Sequence, residues 1–311
     1  MSLTKFIEEK EVRNLIDNYV DKPKFDLCAE IKANPQTKSY ALVGTAFDYL
    51  MRFHFEYKYS IIDNCHWVAH NSLVYLLIDN FKLGIEPVKP IAFLTEMNFK
   101  DIYNDSILDV KDLQEKLKEK NDYKGRQIFK VINLILNAEK EYSNFLKSGN
   151  LTDGVIKATI DLAKIDVIYR RKHYPNDLGE YKEGNIQDLK QLYKIIPDFS
   201  KKKDSNILLN PTFDKASQLV GGADCDIIID ETLLDIKTTK SLRFTRKYFR
   251  QLIGYAILAD ISVNIKKPKN LGIYYSRFAK QFVFNSDIVY ETDEYEILKD
   301  EFKKKANKIY G

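Results

Sequence analysis

The stretch that most restricts how this chain can fold runs from Gly221 to Thr239, G-G-A-D-C-D-I-I-I-D-E-T-L-L-D-I-K-T-T. Ile227 to Ile229 is a β-branched run, Asp230-Glu231 interrupts it, and Leu233 to Ile236 is apolar again. Short apolar, β-branched segments around a polar break read as two strands of a hairpin. A two-residue turn at Asp230-Glu231 sets Ile229 against Thr232, Ile228 against Leu233, Ile227 against Leu234 and Asp226 against Asp235. Asp224 then faces Lys237. A three-residue loop that includes Thr232 is the alternative, because Asp-Glu is not a favoured two-residue turn. In the two-residue register, alternation places Asp224, Asp226, Asp235 and Lys237 on one face and Ile227, Leu234 and Ile236 on the other.

Opposed residues on an antiparallel pair have Cβ atoms ~4.5–5.5 Å apart, and like charges at that spacing destabilise the pair. Asp226 against Asp235 therefore calls for a compensating cation. A hard divalent ion with oxygen ligands fits, and Mg²⁺ is commonly held by one or two carboxylates plus substrate phosphates. Lys237 adds an ammonium two residues past Asp235. A metal and a lysine side by side suit phosphoryl chemistry, in which water is activated and phosphate charge neutralised. The plainer reading is the solvent-facing side of an edge hairpin.

The next segment, Ser241 to Leu258, reads as a helix with Phe249, Leu252, Ile253 and Ala256 on one face. Gln251 and Tyr255 lie four apart, one above the other on a different face. Basic residues stand at Lys237, Lys240, Arg243, Arg246, Lys247 and Arg250, with no acidic residue between them. A basic run with interleaved aromatics beside a carboxylate pair reads as a phosphate-backbone contact surface.

The ordered set of Gly222, Asp226, the Asp235-x-Lys237 triplet, Gln251 and Tyr255 resembles the PD-(D/E)XK nuclease superfamily, and within it the RecB-type exonuclease branch. The resemblance covers roughly residues 210–285. It implies an α/β, restriction-endonuclease-like core, a small mixed sheet flanked by helices. It further implies that Asp226 and Asp235 ligate Mg²⁺ or Mn²⁺ with the backbone carbonyl of Ile236 as a third ligand. Lys237 would position or activate water, and Gln251 and Tyr255 would orient the site. Lys240, Arg243, Arg246, Lys247 and Arg250 would contact nucleic acid, DNA before RNA. Val43 to Phe55 resembles the family's first motif, a glycine followed by a helix with a metal-binding His. Asp48 stands at the place of that His and is a further candidate ligand.

Net charge is only +4, so nucleic-acid binding has to come from local patches. Cys28, Cys65 and Cys225 are scattered and odd in number, which fits a reducing cytoplasm and excludes a four-cysteine iron–sulfur cluster built by one chain. The amino terminus is too charged for a signal peptide, and no apolar run reaches the ~20 residues of a membrane helix.

The rest of the chain predicts helices over 3–20, from Val43, over 107–147, 151–171 and 185–196, and over 293–309. Thr152 or Asp153 would cap the fourth of these and Thr292 the last. Residues 210–220 are expected to enter the hairpin as a strand, and Leu271–Arg277 with Gln281–Phe284 to form a second hairpin. The organisation read from this is a mainly helical region over 1–200 packed on a nuclease core over 201–311, or one continuous domain. Two other functions compete. One is a nuclease fold retained as a DNA-binding or scaffold protein without catalysis. The other is a zinc hydrolase around His66 and His70, which have helical chelating spacing but lie in what reads as an ordinary helix surface.

Overall fold

The computed structural model describes residues 2–61, 67–81, 99–100, 107–199 and 205–311. It divides into two compact units, Met1–Asn34 with Ile195–Gly311, and Pro35–Lys194.

The first unit begins with α1 (Leu3–Phe6) and α2 (Lys10–Tyr19), where the sequence predicts one helix. Leu3, Phe6 and Ile7 are all buried, and Val12, Leu15 and Ile16 bury one stripe of α2. Turning the chain between the two helices lets both apolar groups reach the core.

The second unit is mainly helical. It comprises α3 (Tyr40–Tyr59), α4 (Val68–Phe81), a short antiparallel pair β1 (Phe99–Lys100) and β2 (Ile107–Leu108), α5 (Val110–Lys120), α6 (Tyr123–Ser148), α7 (Asp153–Arg171) and α8 (Glu183–Lys194). The helix expected over 107–147 is two helices. Asn121 takes a left-handed conformation at φ 39°, and Asp122 starts α6 by accepting from the Gly125 N–H. Left-handed Asn is a common helix stop. Thr152 caps α7 through the Val155 N–H, as the sequence predicts. α7 packs against α3, α4 and α6 and is the centre of this unit.

The chain then returns to the first unit with β3 (Ile207–Leu209), α9 (Asp214–Leu219), β4 (Ile227–Ile229), β5 (Thr232–Lys237), α10 (Arg246–Ile261), β6 (Asn270–Tyr275), β7 (Lys280–Asn285), α11 (Asp287–Tyr290) and α12 (Tyr295–Tyr310). The five strands form one mixed sheet in the order β3-β4-β5-β6-β7, antiparallel throughout except for β5 beside β6. The chain is thus α/β, and α10 makes the crossover between the two parallel strands.

The register of β4 and β5 is Ile229↔Thr232, Ile228↔Leu233 and Ile227↔Leu234, as the two-residue turn predicts. Asp230 supplies the left-handed position at φ 52°. Its carboxylate accepts from the Asn206 N–H at 3.0 Å, so the turn is tied to the strand before it. The strand expected over 210–220 lies earlier, at β3, and 214–219 is helical because Ala216 and Ser217 turn inward beside Phe213. α10 starts at Thr245, whose hydroxyl accepts from the Tyr248 N–H, so 241–245 is not helix. The last helix starts after Glu294 rather than at Thr292.

One face of the sheet carries Ile228, Leu233, Leu271, Ile273 and Tyr275. Onto it pack Phe249, Leu252, Ile253 and Ala256 of α10, with residues of α1, α2, α9 and α12 completing the core. Burial of side chains this size contributes roughly 1.5–3 kcal/mol each before entropy is counted. Among the described residues no helix is long and apolar enough to cross a membrane.

Candidate active site on the five-stranded sheet

β5 brings Asp235 and Lys237 onto the face that looks at α10, two residues apart and therefore on the same side of the strand. Asp235 is 2% exposed. It does not end in an apolar environment: Lys237 Nζ stands 2.6 Å from its Oδ2. Lys237 Nζ also donates to Gln251 Oε1 at 3.1 Å, and Gln251 Nε2 donates to the Tyr255 hydroxyl at 2.8 Å. Gln251 and Tyr255 reach the strand from adjacent turns of α10. Phe213 stacks on Tyr255 with ring centroids 5.7 Å apart, and the Tyr248 ring lies 4.9 Å from the ammonium. Side chains from one strand and one helix are thereby held in a single polar line within an apolar layer.

Asp226 joins this group from the residue just before β4. The ladder with β5 ends at Ile227, so Asp226 is not paired across the strands with Asp235. Its backbone carbonyl instead accepts from the Asn210 N–H, and its carboxylate accepts from the Ile236 N–H. Asp224, expected opposite Lys237, pairs with Thr212 in an isolated antiparallel bridge. The like-charged opposition of Asp226 and Asp235 is avoided by this drift of the chain toward β3. Ile236 stands between the two acidic positions, paired with Tyr274 of β6.

The electrostatics follow from burial and from this clustering. Burial raises the Asp235 carboxyl, and Lys237 opposes that rise. Burial by itself would lower the Lys237 ammonium, but Asp235 and Asp226 outweigh it and leave it raised. Tyr255 is pushed far up by burial and then by Asp235, Asp226 and Asp224. Cys225 is raised by burial and the same three carboxylates.

The donor set bears on a metal. Asp235 Oδ2 is buried without a well-formed hydrogen bond and has only the lysine ion pair. Buried charged oxygens are normally satisfied more fully than this. Among the described residues no three His, Cys, Asp or Glu side chains group to hold a metal by themselves. The residues present therefore fit a hard ion bound by two carboxylates and completed by backbone, water and phosphate oxygens. They do not fit an ion that needs three or four protein side chains.

The basic residues separate into two kinds. Lys240, Arg243 and Lys247 are exposed. Arg250 is engaged within the fold: its Nε donates to Asp17 Oδ1 at 3.0 Å, its Nη2 bonds the other oxygen of Asp17, and Glu8 lies 3.8 Å away. Arg246 is 3.5 Å from Asp17 with 57% of its side chain exposed. Nothing local to the basic run signals this network, because its acids lie more than two hundred residues upstream, Asp17 on α2 and Glu8 just before it. Tyr275 and Ser276 fasten the segment between β5 and α10. The Tyr275 hydroxyl donates to the Arg243 carbonyl at 3.0 Å and Ser276 Oγ to Thr238 Oγ1 at 2.9 Å.

Asp48 belongs to the helical unit, on α3, where its carboxylate is 3.5 Å from Arg52. Of the two histidines with chelating spacing, His66 lies outside the described residues. His70 is not on a helix surface: it is buried, stacks on Trp67 at 5.4 Å and meets Glu139 Oε1 at 3.1 Å. Cys225 is a buried free thiol and Cys28 an exposed one; Cys65 lies outside the described residues.

No protein-family model, curated protein or solved structure matches the chain significantly.

Proposed function

We propose that this protein is a metal-dependent nuclease that hydrolyses phosphodiester bonds, with DNA as substrate and a RecB-type exonuclease as the form. The observation that carries the reading is the Asp235–Lys237–Gln251–Tyr255 line, in which one ammonium joins a buried carboxylate to a helix-borne amide and phenol. A lysine placed only for solubility would not be held from two elements at once. The mixed sheet with α10 across one face supports a restriction-endonuclease-like core.

In this reading Asp226 and Asp235 hold Mg²⁺ or Mn²⁺, with the Ile236 carbonyl as a third ligand. The ion supplies Lewis acidity toward phosphate and water when bound. Lys237 holds the attacking water and offers a cation to the charge that grows on the phosphate oxygens. Gln251 fixes the direction of the ammonium, and Tyr255, clamped by Phe213, fixes Gln251. Lys240, Arg243 and Lys247, with the exposed part of Arg246, contact the strand backbone. Arg250 serves this surface by anchoring α10 to α2 rather than by touching phosphate. The location that fits such an enzyme with free thiols is the cytoplasm.

The test is a digestion time course on linear, circular, single-stranded and double-stranded DNA and on RNA, with Mg²⁺, with Mn²⁺ and with chelator. Loss of linear DNA from its ends, only with metal, is the expected result. Nucleic-acid binding without cleavage of any substrate would point to a scaffold instead. Asp48→Ala is to be run beside it, and unchanged cleavage would assign Asp48 to the packing of α3 alone.

A further inference from the structure

The helical unit contains a cavity of about 340 Å³ between the first turns of α3 and the last turns of α7. It lies within small-molecule site sizes, about 300–1,000 Å³, and is too large for a bare oxyanion. Ala41 and Leu42 on α3 and Ala163 and Val167 on α7 give the cavity apolar walls. Arg170, Arg171 and His173 line the same space.

The charges there are unequal. Lys164 and Asp177 also line the cavity but neutralise each other at 2.7 Å, and Lys164 further donates to the carbonyls of Asp177 and Glu180. Asp166 stands 3.9 Å from Arg170 and accepts the Tyr49 hydroxyl at 2.8 Å. Arg171 makes no ion pair among the described residues and is exposed. Ser39, at the start of α3, gives no side-chain cap. Ala41 and Leu42 are the second and third residues of that helix, whose amides have no carbonyl four residues back within it. Positive charge, the amino end of a twenty-residue helix and apolar walls thus converge.

We propose that this cavity binds a phosphate-bearing nucleotide. Arg171, Arg170 and the first turn of α3 take the phosphate, the apolar walls take the base, and Asp166 accepts from a base N–H. The nucleotide is either free or the terminal one of a strand. Beside Arg170 and Arg171 on α7, Lys172 Nζ lies 3.8 Å from the Tyr75 ring and 4.6 Å from the Tyr169 ring, and Tyr169 is 44% exposed. Such a basic, aromatic rim would continue along a strand. The proposal does not depend on the nuclease reading, since every residue in it belongs to the helical unit.

The experiment measures binding to the full chain in chelator, so that nothing is cleaved. The probes are inorganic phosphate, deoxyadenosine, deoxyadenosine 5′-monophosphate, and a labelled single-stranded oligonucleotide with and without a terminal phosphate. The monophosphate or the phosphorylated oligonucleotide is expected to bind at least tenfold more tightly than its unphosphorylated counterpart, and which of the two does so names the source. Arg171→Ala, an exposed change, is expected to weaken that binding about tenfold with an unchanged circular dichroism spectrum. Asp235→Ala is expected to leave it intact. Equal binding of inorganic phosphate and nucleotide, no preference for phosphate, or an unaffected Arg171→Ala would overturn the proposal. Absence of cleavage by the wild type would overturn the nuclease reading and leave this one standing.

Discussion

Replacing Arg250 by Ala separates a structural cation from a nucleic-acid contact. The side chain is 12% exposed and Asp17 is 24% exposed, so most of their pairing is shielded from solvent. The guanidinium meets the carboxylate with two of its nitrogens, the geometry in which Arg–carboxylate pairs are strongest. A hydrogen bond to a charged group contributes about 1.5–3 kcal/mol net. Truncation also leaves the partly buried Asp17 beside Arg246 alone, a partial replacement at 3.5 Å. A loss of roughly 2–3 kcal/mol is expected at pH 7, with Asp17→Ala/Arg250→Ala costing less than the sum of the single changes. The Arg250 hydrogen bond holds the Asp17 carboxyl below its ordinary value. A lowered folded-state pKa contributes stability above the unfolded value, about 3.9, and loses it as pH falls through the folded one. The gap between wild type and variant should therefore shrink below about pH 4. Hydrogen exchange in peptides from 10–19 and 246–261, measured at pH 7 and near pH 3, reads this out. DNA affinity per folded molecule should stay within about twofold, with an unchanged salt slope. A stable variant that lost DNA affinity and one counterion of slope would refute the structural assignment.

Other outcomes follow from the same physics. Asp166 is buried, which raises its carboxyl to about 7 against the pull of Arg170 and Tyr49. Its contribution is fully present below the unfolded value, about 3.9, and is lost as pH rises to the folded one, so Asp166→Asn should flatten the fall in stability between about pH 4 and 7; a curve parallel to wild type would show that Asp166 does not titrate there. At Gly272 an added Cβ would meet the Phe282 carbonyl at 2.7 Å and Leu234 and Val283 side chains at 2.9 Å. Gly272→Ala should cost about 1–3 kcal/mol by urea denaturation, because backbone in a paired strand cannot step aside; an unchanged midpoint would contradict that. Lys237→Ala should keep the metal site, since both carboxylates remain, while turnover drops about 10²–10³-fold; equal loss of metal binding would make the lysine a support of the carboxylates only.

The hairpin was legible because its information is local. Turn, β-branched runs and alternation all lie within twenty residues, and β4 and β5 pair in the register these dictate. The Gln251–Tyr255 step was legible for the same reason, as four residues on a helix fix relative direction. The place of Asp226 was not. A ladder extrapolated beyond Ile227 ignores the pull of β3, whose continuation holds Asp226 and Asp224 through Asn210 and Thr212. Likewise 210–220 carries no strong periodicity, and α9 arises there from burial beneath α10 and α12. The basic run read as one surface, because sequence counts charges without showing partners. Asp17 and Glu8 reach Arg250 only through tertiary packing of α2 on α10. His70 read as a surface residue, and its burial depends on Trp67 and on Glu139 of α6.

Asp226, Asp235 and Lys237 are proposed to form one metal-dependent phosphodiester-cleaving site. Its most direct measurement is the single-turnover cleavage rate of end-labelled linear DNA against Mg²⁺ concentration, for wild type, Asp226→Ala, Asp235→Ala and Lys237→Ala. Saturable metal dependence is expected in the wild type, none detectable in either aspartate variant, and an unshifted metal midpoint with a much lower plateau in Lys237→Ala. Cleavage that survives chelation, or that persists at the wild-type rate in Asp235→Ala, would contradict the proposal.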